Sequence, residues 1–221
     1  MNAGIFGTFD QILRAGSNAT ESLTLRRSVL ALVVCGMFYG AVMGSFADEH
    51  GPRLLQMLFS ALKVPLLVGA TFGLSLPAYF VVTTLMGLRD DFELAVRALL
   101  ATQAVLAILL ASFAPFTLLW YFSSRNYSSA LLFNGLMFGL ASLCAQRVLA
   151  RLFLPMIQRD ARHRLMMLVW LGTYSFIGIQ MAWVLRPFVG NPADPTTFFR
   201  QEAWGNAYEE LVKLAGRVFG I

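Results

Sequence analysis

Charged residues divide this chain into long uncharged stretches. Five windows contain no Asp, Glu, Lys, Arg or His, and their lengths are 20, 25, 27, 21 and 21 residues. They cover residues 28–47, 64–88, 98–124, 126–146 and 165–185. A transmembrane helix needs about 20 predominantly apolar residues to cross the hydrocarbon core of a bilayer. The pattern therefore predicts five membrane-spanning helices, numbered 1 to 5 in chain order.

Polar segments between the windows predict where these helices begin and end. The segment YFSSRNYSS, residues 121–129, is typical of a tight turn at the headgroup boundary between helices 3 and 4. In GLRDDFELAVR, the acidic trio of Asp90, Asp91 and Glu93 favours a helix start, because carboxylates stabilise the N-terminal end of a helix dipole. Helix 3 is therefore expected to begin near Asp91. Helix 2 is expected to follow an interfacial stretch, Leu54 to Leu62.

Composition supports a membrane protein. Of the 221 residues, 57% are hydrophobic and only 13% are charged, whereas soluble domains carry roughly 25% charged residues. The predicted fold class is all-α: a polytopic integral membrane protein with five transmembrane helices and short amphipathic segments at both ends. The transmembrane domain covers residues 28–186. The terminal segments are 1–27 and 187–221.

The N-terminal segment, 1–27, is predicted to be a short amphipathic helix on the membrane surface. Its apolar residues at helical spacing are Ile5, Phe9, Ile12 and Leu13. It lacks the basic leading region and long apolar core of a cleavable signal peptide. We therefore expect the segment to remain part of the protein.

The C-terminal segment, 187–221, begins with a Pro-rich linker and continues as a second amphipathic helix. The linker LRPFVGNPADP, residues 185–195, contains three prolines and a glycine, which do not continue a helix. Beyond it, apolar residues recur at helical spacing: Trp204, Tyr208, Leu211, Ala215 and Val218. Phe198, Phe199 and Trp204 are candidate anchors at the outer membrane interface.

Arginines are distributed unequally between the two sides that five spans define. One side receives ten in its loops and N-terminal segment: Arg14, Arg26, Arg27, Arg89, Arg97, Arg147, Arg151, Arg159, Arg162 and Arg164. The loops of the other side receive three cations: Arg53, Lys63 and Arg125. The positive-inside rule predicts a cytoplasmic N-terminus and a periplasmic or lumenal C-terminus. A bacterial inner membrane is the expected location.

One dense basic cluster, RDARHR, contains Arg159, Arg162 and Arg164. Its expected role is to fix topology or to contact anionic lipid headgroups, so membrane lipids are predicted partners. A nucleic-acid partner is not expected, because such proteins present a basic face together with groove-reading or base-stacking elements.

Glycines four residues apart mark three of the predicted helices. Helix 1 contains Gly36, Gly40 and Gly44, helix 2 contains Gly69 and Gly73, and helix 4 contains Gly135 and Gly139. Helix 3 carries alanines at similar spacing: Ala104, Ala107, Ala111 and Ala114. Small residues let helix backbones approach closely within a membrane. They can serve internal packing, or one groove, most plausibly that of helix 1, can receive another chain.

The span centres contain no ionisable side chain. Proton relays and ion-coupled transporters use such groups, and a buried bis-histidine haem is excluded because His50 and His163 fall in loops. Lys63 and Arg97 lie near helix ends and are expected to snorkel to the interface. Asn134 is expected to hydrogen-bond to a neighbouring helix, since an unbonded amide is costly in hydrocarbon.

No catalytic or cofactor motif is present. The sequence lacks HExxH, GxSxG, Walker and GxGxxG patterns. Cys35 and Cys144 lie in spans without metal-ligand spacing, and we expect both to pack as small apolar residues. We therefore expect no enzyme activity, cofactor or metal. The acidic trio is the one alternative, because carboxylates can hold Mg²⁺.

The run LKVPLLVGATFGLSLPAYFVVTTLMG in helix 2, together with five closely spaced spans, resembles the YIP-type membrane proteins. That resemblance implies a cytoplasmic N-terminus and an outer C-terminus. Eukaryotic members act in membrane traffic by binding small GTPases through a long N-terminal region. The segment before helix 1 is short here, so no GTPase role and no functional residue are carried over.

The leading functional hypothesis is a non-catalytic accessory or scaffold subunit that packs against other integral membrane proteins in a multi-subunit complex. Two alternatives remain open. One is a small transporter or channel for a neutral or lipid-like substrate, and the other is a membrane enzyme that uses the acidic trio.

Overall fold

The computed structural model describes residues 25–46, 53–191 and 195–199. Five long helices account for most of them: α1 Leu25–Gly44, α2 Leu54–Leu85, α3 Phe92–Ser123, α4 Tyr127–Arg159 and α5 Arg162–Leu185. Each is long and apolar enough to cross a membrane, and the described part of the chain contains no strand. The all-α fold with five candidate spans is therefore confirmed. The chain is an integral membrane protein.

Helix α2 ends and α3 begins as the local sequence predicts. Gly87 takes a positive φ of 70° just after α2, which lets the N–H of Leu88 bond back to the carbonyl of Thr83 at 3.0 Å. A short 3-10 turn, Arg89–Asp91, then leads into α3. Glu93 in the first turn of α3 pairs with Arg97 at 2.6 Å. The predicted start of helix 3 near Asp91 is confirmed.

The predicted tight turn between α3 and α4 is also confirmed. Only three residues, 124–126, separate the two helices. Asn126 caps α4, because its side-chain oxygen accepts a hydrogen bond from the N–H of Ser129 at 3.0 Å. This short connection makes α3 and α4 antiparallel neighbours.

Helix α2 is longer than its uncharged window. Leu54–Leu62, expected as a separate interfacial stretch, is the first part of one 32-residue helix that also contains Pro65 and Pro77. At 1.5 Å per residue the helix is about 48 Å long, which exceeds a hydrocarbon core of about 30 Å. Its ends therefore extend beyond that core, or the helix is tilted within it.

Helix α3 lies at the centre of the bundle. Residues 98–108 are buried without interruption over three turns, so neighbours cover every face of this part of the helix. Helices α1 and α4 pack against α3, and α2 packs against α1 and α5. The alanine face predicted for helix 3 is confirmed in part: Ala104, Ala107 and Ala114 are buried, and Ala111 is half-buried. Their small side chains allow this close approach.

Candidate membrane interfaces

The glycine groove of α1 is filled by α2. A Cβ placed on Gly40 would lie 2.8 Å from the Cα of Ala61 and even closer to the carbonyl oxygen of Ser60. One placed on Gly44 would lie 2.8 Å from the Cα of Met57, and Gly36 faces Pro65 at 3.4 Å. The interpretation that this groove receives another chain is therefore wrong. Its three glycines let two helices of the same bundle touch through their backbones.

The other predicted glycine pairs face outwards. A Cβ added to any of these four glycines would have no other described part of the bundle within 4 Å. They are Gly69, Gly73, Gly135 and Gly139. Gly172 of α5 is open in the same way. These glycines therefore make no close helix contact inside the described bundle.

Gly69 and Gly73 lie in the middle of an exposed apolar stripe on α2. The stripe, which we call the outer α2 face, consists of Leu62, Leu66, Gly69, Gly73, Pro77 and Phe80, all of them exposed. The glycines form a shallow depression between larger side chains. In a bilayer such a face meets lipid or another membrane protein.

Asn134 ties three helices together through a closed polar network. Its side-chain oxygen accepts a hydrogen bond from the hydroxyl of Tyr39 at 3.1 Å. Its amide nitrogen donates to the hydroxyl of Tyr121 at 2.7 Å and to the carbonyl of Ala130 at 2.8 Å. Tyr121 in turn donates to the carbonyl of Met43 at 3.0 Å. The prediction that Asn134 bonds to a neighbouring helix is confirmed.

Lys63 does not snorkel into solvent, so that expectation is wrong. The side chain is fully buried, and its Nζ donates to the carbonyl of Pro187 at 2.7 Å. The ring of Phe198 lies 4.9 Å from Nζ, in range for a cation–π interaction. The chain that follows α5 thus folds back over Lys63 and removes it from water.

The same returning segment is bound along the first turns of α2. Arg53 donates to the carbonyl of Asn191 at 2.6 Å, and Gln56 donates to the carbonyl of Phe188 at 3.2 Å. We call residues 186–191 and 195–199 the return segment. Arg53 also donates to the hydroxyl of Thr196. Sequence analysis missed this contact because most of its acceptors are backbone carbonyls, which no side-chain pattern displays.

The predicted outer anchors are only partly described. Phe198 packs edge-on against Phe59 of α2 at 5.2 Å, and Phe199 packs against Phe198 at 4.8 Å while remaining exposed. Phe198 therefore contacts α2, and Phe199 keeps an exposed surface. Trp204 and the two predicted amphipathic helices lie outside the described residues.

At the opposite end of the bundle, Arg162 joins two loops. It forms an ion pair with Asp160 at 2.6 Å and donates to the carbonyl of Met86, just after α2, at 2.7 Å. Hydrogen bonds from Arg162, and its positive charge, lower the pKa of Asp160 to about 2. We call this end, which also carries the exposed Arg159 and Arg164, the arginine-rich end.

The acidic trio does not converge on one point. The carboxylate of Asp91 lies 3.2 Å from the ring nitrogen Nε2 of the buried His163, whereas Glu93 pairs with Arg97. Asp90 is exposed. Two of the three carboxylates are therefore engaged with basic partners on different elements.

A crevice of about 340 Å³ opens beside α4. Helix α4 forms one wall, and α1, α2, α5 and the return segment form the others. Its lining includes Met43, Leu67, Gly135, Phe138, Ala182 and Phe188. Gly135 is exposed, so the crevice opens to the outer surface of the bundle.

The two cysteines differ in their surroundings. Cys35 is buried in α1 and Cys144 is exposed on α4, and both are free thiols. Cys35 packs as a small apolar residue, as expected, whereas Cys144 faces outwards.

No protein-family model, curated protein or solved structure matches this chain. The class of protein is thus defined by the described part of the chain, in which five helices are long and apolar enough to span a membrane: it is a multi-pass integral membrane protein. The resemblance to YIP-type proteins stays a prediction.

Proposed function

We propose that this chain is a non-catalytic accessory or scaffold subunit, which binds another integral membrane protein through the outer α2 face. The observation that carries the proposal is the open space at Gly69 and Gly73. Helices in a membrane associate through close backbone contact at small residues. The α1 glycines make such a contact inside the bundle, and those of α2 leave the equivalent surface unused among the described residues.

The surroundings of the polar groups support a structural role. The amide of Asn134 is bonded to two tyrosines and a carbonyl, and Lys63 is bonded to the return segment. Asp91 and Glu93 contact basic side chains at the arginine-rich end. These groups hold helices and loops together, which favours a scaffold over an enzyme built on the acidic trio.

The proposed orientation places the arginine-rich end in the cytoplasm of a bacterial cell and the return segment in the periplasm. Contacts between loops support the assignment of each loop to one of the two sides of the membrane. Arg162 bonds to the loop after α2, and Tyr127, just after the α3–α4 turn, bonds to the carbonyl of Val189 at 3.4 Å. Loops assigned to the same side thus touch each other.

Site-specific photocrosslinking tests the proposed function. A photoreactive leucine analogue in place of Leu66 in native membranes should yield a discrete adduct with one membrane protein, whereas the same analogue in place of Leu168 should yield mainly lipid adducts. Leu168 is a matched control, because it is similarly exposed but lies on α5, outside the outer α2 face.

A second variant separates docking from folding. Gly69→Ile should abolish the position-66 adduct and leave the thermal stability of the purified chain unchanged, because a Cβ at position 69 would meet no other described part of the bundle within 4 Å. Equal adducts at positions 66 and 168, or an adduct that survives Gly69→Ile, would contradict a docking role for this face.

A further inference from the structure

The crevice beside α4 lies at membrane depth. Gly135 is the ninth residue of α4, about 12 Å along the helix from its first residue. A hydrocarbon core is about 30 Å thick, so this distance places the opening within one leaflet. That leaflet is the one on the side of the return segment. Phe188 lines the crevice on that side, and its carbonyl accepts a hydrogen bond from Gln56.

The chemistry of the crevice is apolar. Met43, Leu67, Phe138 and Ala182 contribute hydrocarbon or thioether surface. Asn134 also reaches the lining, but both of its amide N–H groups already donate to Tyr121 and Ala130. The site therefore offers no free amide donor to a polar ligand. Apolar cavities exclude water and accept apolar guests.

The shape of the crevice distinguishes between apolar guests. Its walls come from four helices and the return segment, so a guest must fit between side chains on several sides. A rigid helix about 10 Å wide is poorly suited to such a space. A single alkyl chain is narrow and flexible, and the exposed Gly135 leaves the side of the crevice open to such a chain.

We propose that this crevice is a binding site for one acyl chain of a membrane phospholipid. The chain enters from the surrounding leaflet past Gly135 and contacts Phe138 and Ala182 on opposite walls. Bound there, it fills the space where α4 and α5 would otherwise be separated by a void. The site is distinct from the outer α2 face, and it does not depend on the proposed scaffold function.

The test uses the full chain in phosphatidylcholine vesicles that contain a small fraction of phosphatidylcholine with a diazirine on one acyl chain. After irradiation and digestion, crosslinks are mapped by mass spectrometry. We expect labelling at Phe138 and Ala182 to exceed labelling at Leu143, an exposed residue of α4 outside the crevice, several-fold. Equal labelling at all three positions would show ordinary lipid contact and overturn the proposal.

Two matched variants locate the site. Gly135→Phe should fill the crevice and reduce the label at Ala182 to the level at Leu143. Gly139→Phe, the same change one turn further along α4 at an equally open glycine, should leave the label unchanged. If Gly135→Phe fails to fold, Ala182→Phe fills the crevice from the opposite wall, and the label at Phe138 should fall. Label that persists in the folded variant overturns the proposal.

A parallel experiment identifies the source of the alkyl chain. A diazirine-bearing free fatty acid replaces the labelled phosphatidylcholine at the same molar fraction. Stronger labelling of the crevice by the phospholipid supports the proposal. Crevice labelling by the fatty acid that equals or exceeds labelling by the phospholipid contradicts it.

Discussion

The backbones of Gly40 and Ala61 touch across the interface of α1 and α2. A Cβ at position 40 would lie only 2.8 Å from the Cα of Ala61, closer than van der Waals contact allows. The atoms nearest to this Cβ belong to the backbone of Ser60 and Ala61, so no change of side-chain rotamer can relieve the clash. This pair therefore sets how near the two helices approach.

Gly40→Ile should destabilise the purified chain. Overpacking a close contact typically costs about 1–3 kcal/mol, so the thermal unfolding temperature in detergent should fall. Gly73→Ile is the control, because a side chain at Gly73 meets open space in the described structure and should leave the unfolding temperature unchanged. An equal fall in both variants would show that α1 and α2 do not meet at Gly40.

Topology is testable with single cysteines in a variant that lacks Cys35 and Cys144. Arg159→Cys at the arginine-rich end and Arg125→Cys in the α3–α4 turn are both exposed positions. A membrane-impermeant maleimide added to intact cells should label position 125 and not position 159, because the positive-inside rule places the arginine-rich end in the cytoplasm. Label at 159 alone would reverse the orientation, and label at both would refute the five-span topology.

The five helices were predictable because spanning a bilayer is a local property of sequence. Each helix satisfies its own backbone hydrogen bonds, and each needs one sufficiently long apolar window. The bond from Asn134 to a neighbouring helix was predictable for a related reason, since an amide in hydrocarbon requires a partner. Its particular partners, Tyr39 and Tyr121, depend on which helices are adjacent.

The direction of the glycine faces was not predictable. Gly40 and Gly73 occur in similar GxxxG patterns, yet one contacts a backbone and the other faces open space. Lys63 illustrates the same limit. Its position near a helix end predicted exposure, but its acceptor, the carbonyl of Pro187, lies 124 residues away in sequence. Only the assembled bundle brings them together.

The ion pair between Asp160 and Arg162 should give a pH-dependent contribution to the order of the α4–α5 loop. The folded pKa of Asp160, about 2, lies below the ordinary value of about 4 for an aspartate. The contribution is therefore fully present above pH 4 and is lost as the pH falls through 2.

Hydrogen exchange measures that contribution, because the N–H of Arg162 donates to the Asp160 carboxylate at 2.9 Å. Asp160→Asn should weaken the hydrogen-exchange protection of this amide at pH 5. The difference in protection between the variant and the unmodified chain should shrink between pH 4 and pH 2. Asp90→Asn changes an exposed carboxylate at the same end and should have no effect at Arg162. A difference that grows on acidification would contradict the lowered pKa.

Tyr39 and Asn134 should be energetically coupled. Hydrogen bonds between membrane helices contribute about 0.6 kcal/mol on average and up to about 1.7 kcal/mol. A double-mutant cycle of Tyr39→Phe and Asn134→Leu should give a coupling energy in this range, measured by reversible unfolding in mixed micelles. Tyr174→Phe is the control, because Tyr174 bonds to Gln103 instead, at 2.8 Å. Its effect should add to that of Asn134→Leu without coupling.

Lys63→Met should release the return segment from α2. The substitution preserves most of the side-chain volume but leaves the carbonyl of Pro187 without its 2.7 Å donor, and an unsatisfied buried polar group costs about 1–3 kcal/mol. A protease added to the return-segment side of sealed vesicles should cut residues 186–199 faster than in the unmodified chain. Arg125→Met removes an exposed cation at the same end of the bundle and should leave the cleavage rate unchanged. If Lys63→Met is cut no faster than Arg125→Met, the bond to Pro187 does not hold the segment, and the attachment comes from other α2 contacts such as the bonds from Arg53, Gln56 and Ser60.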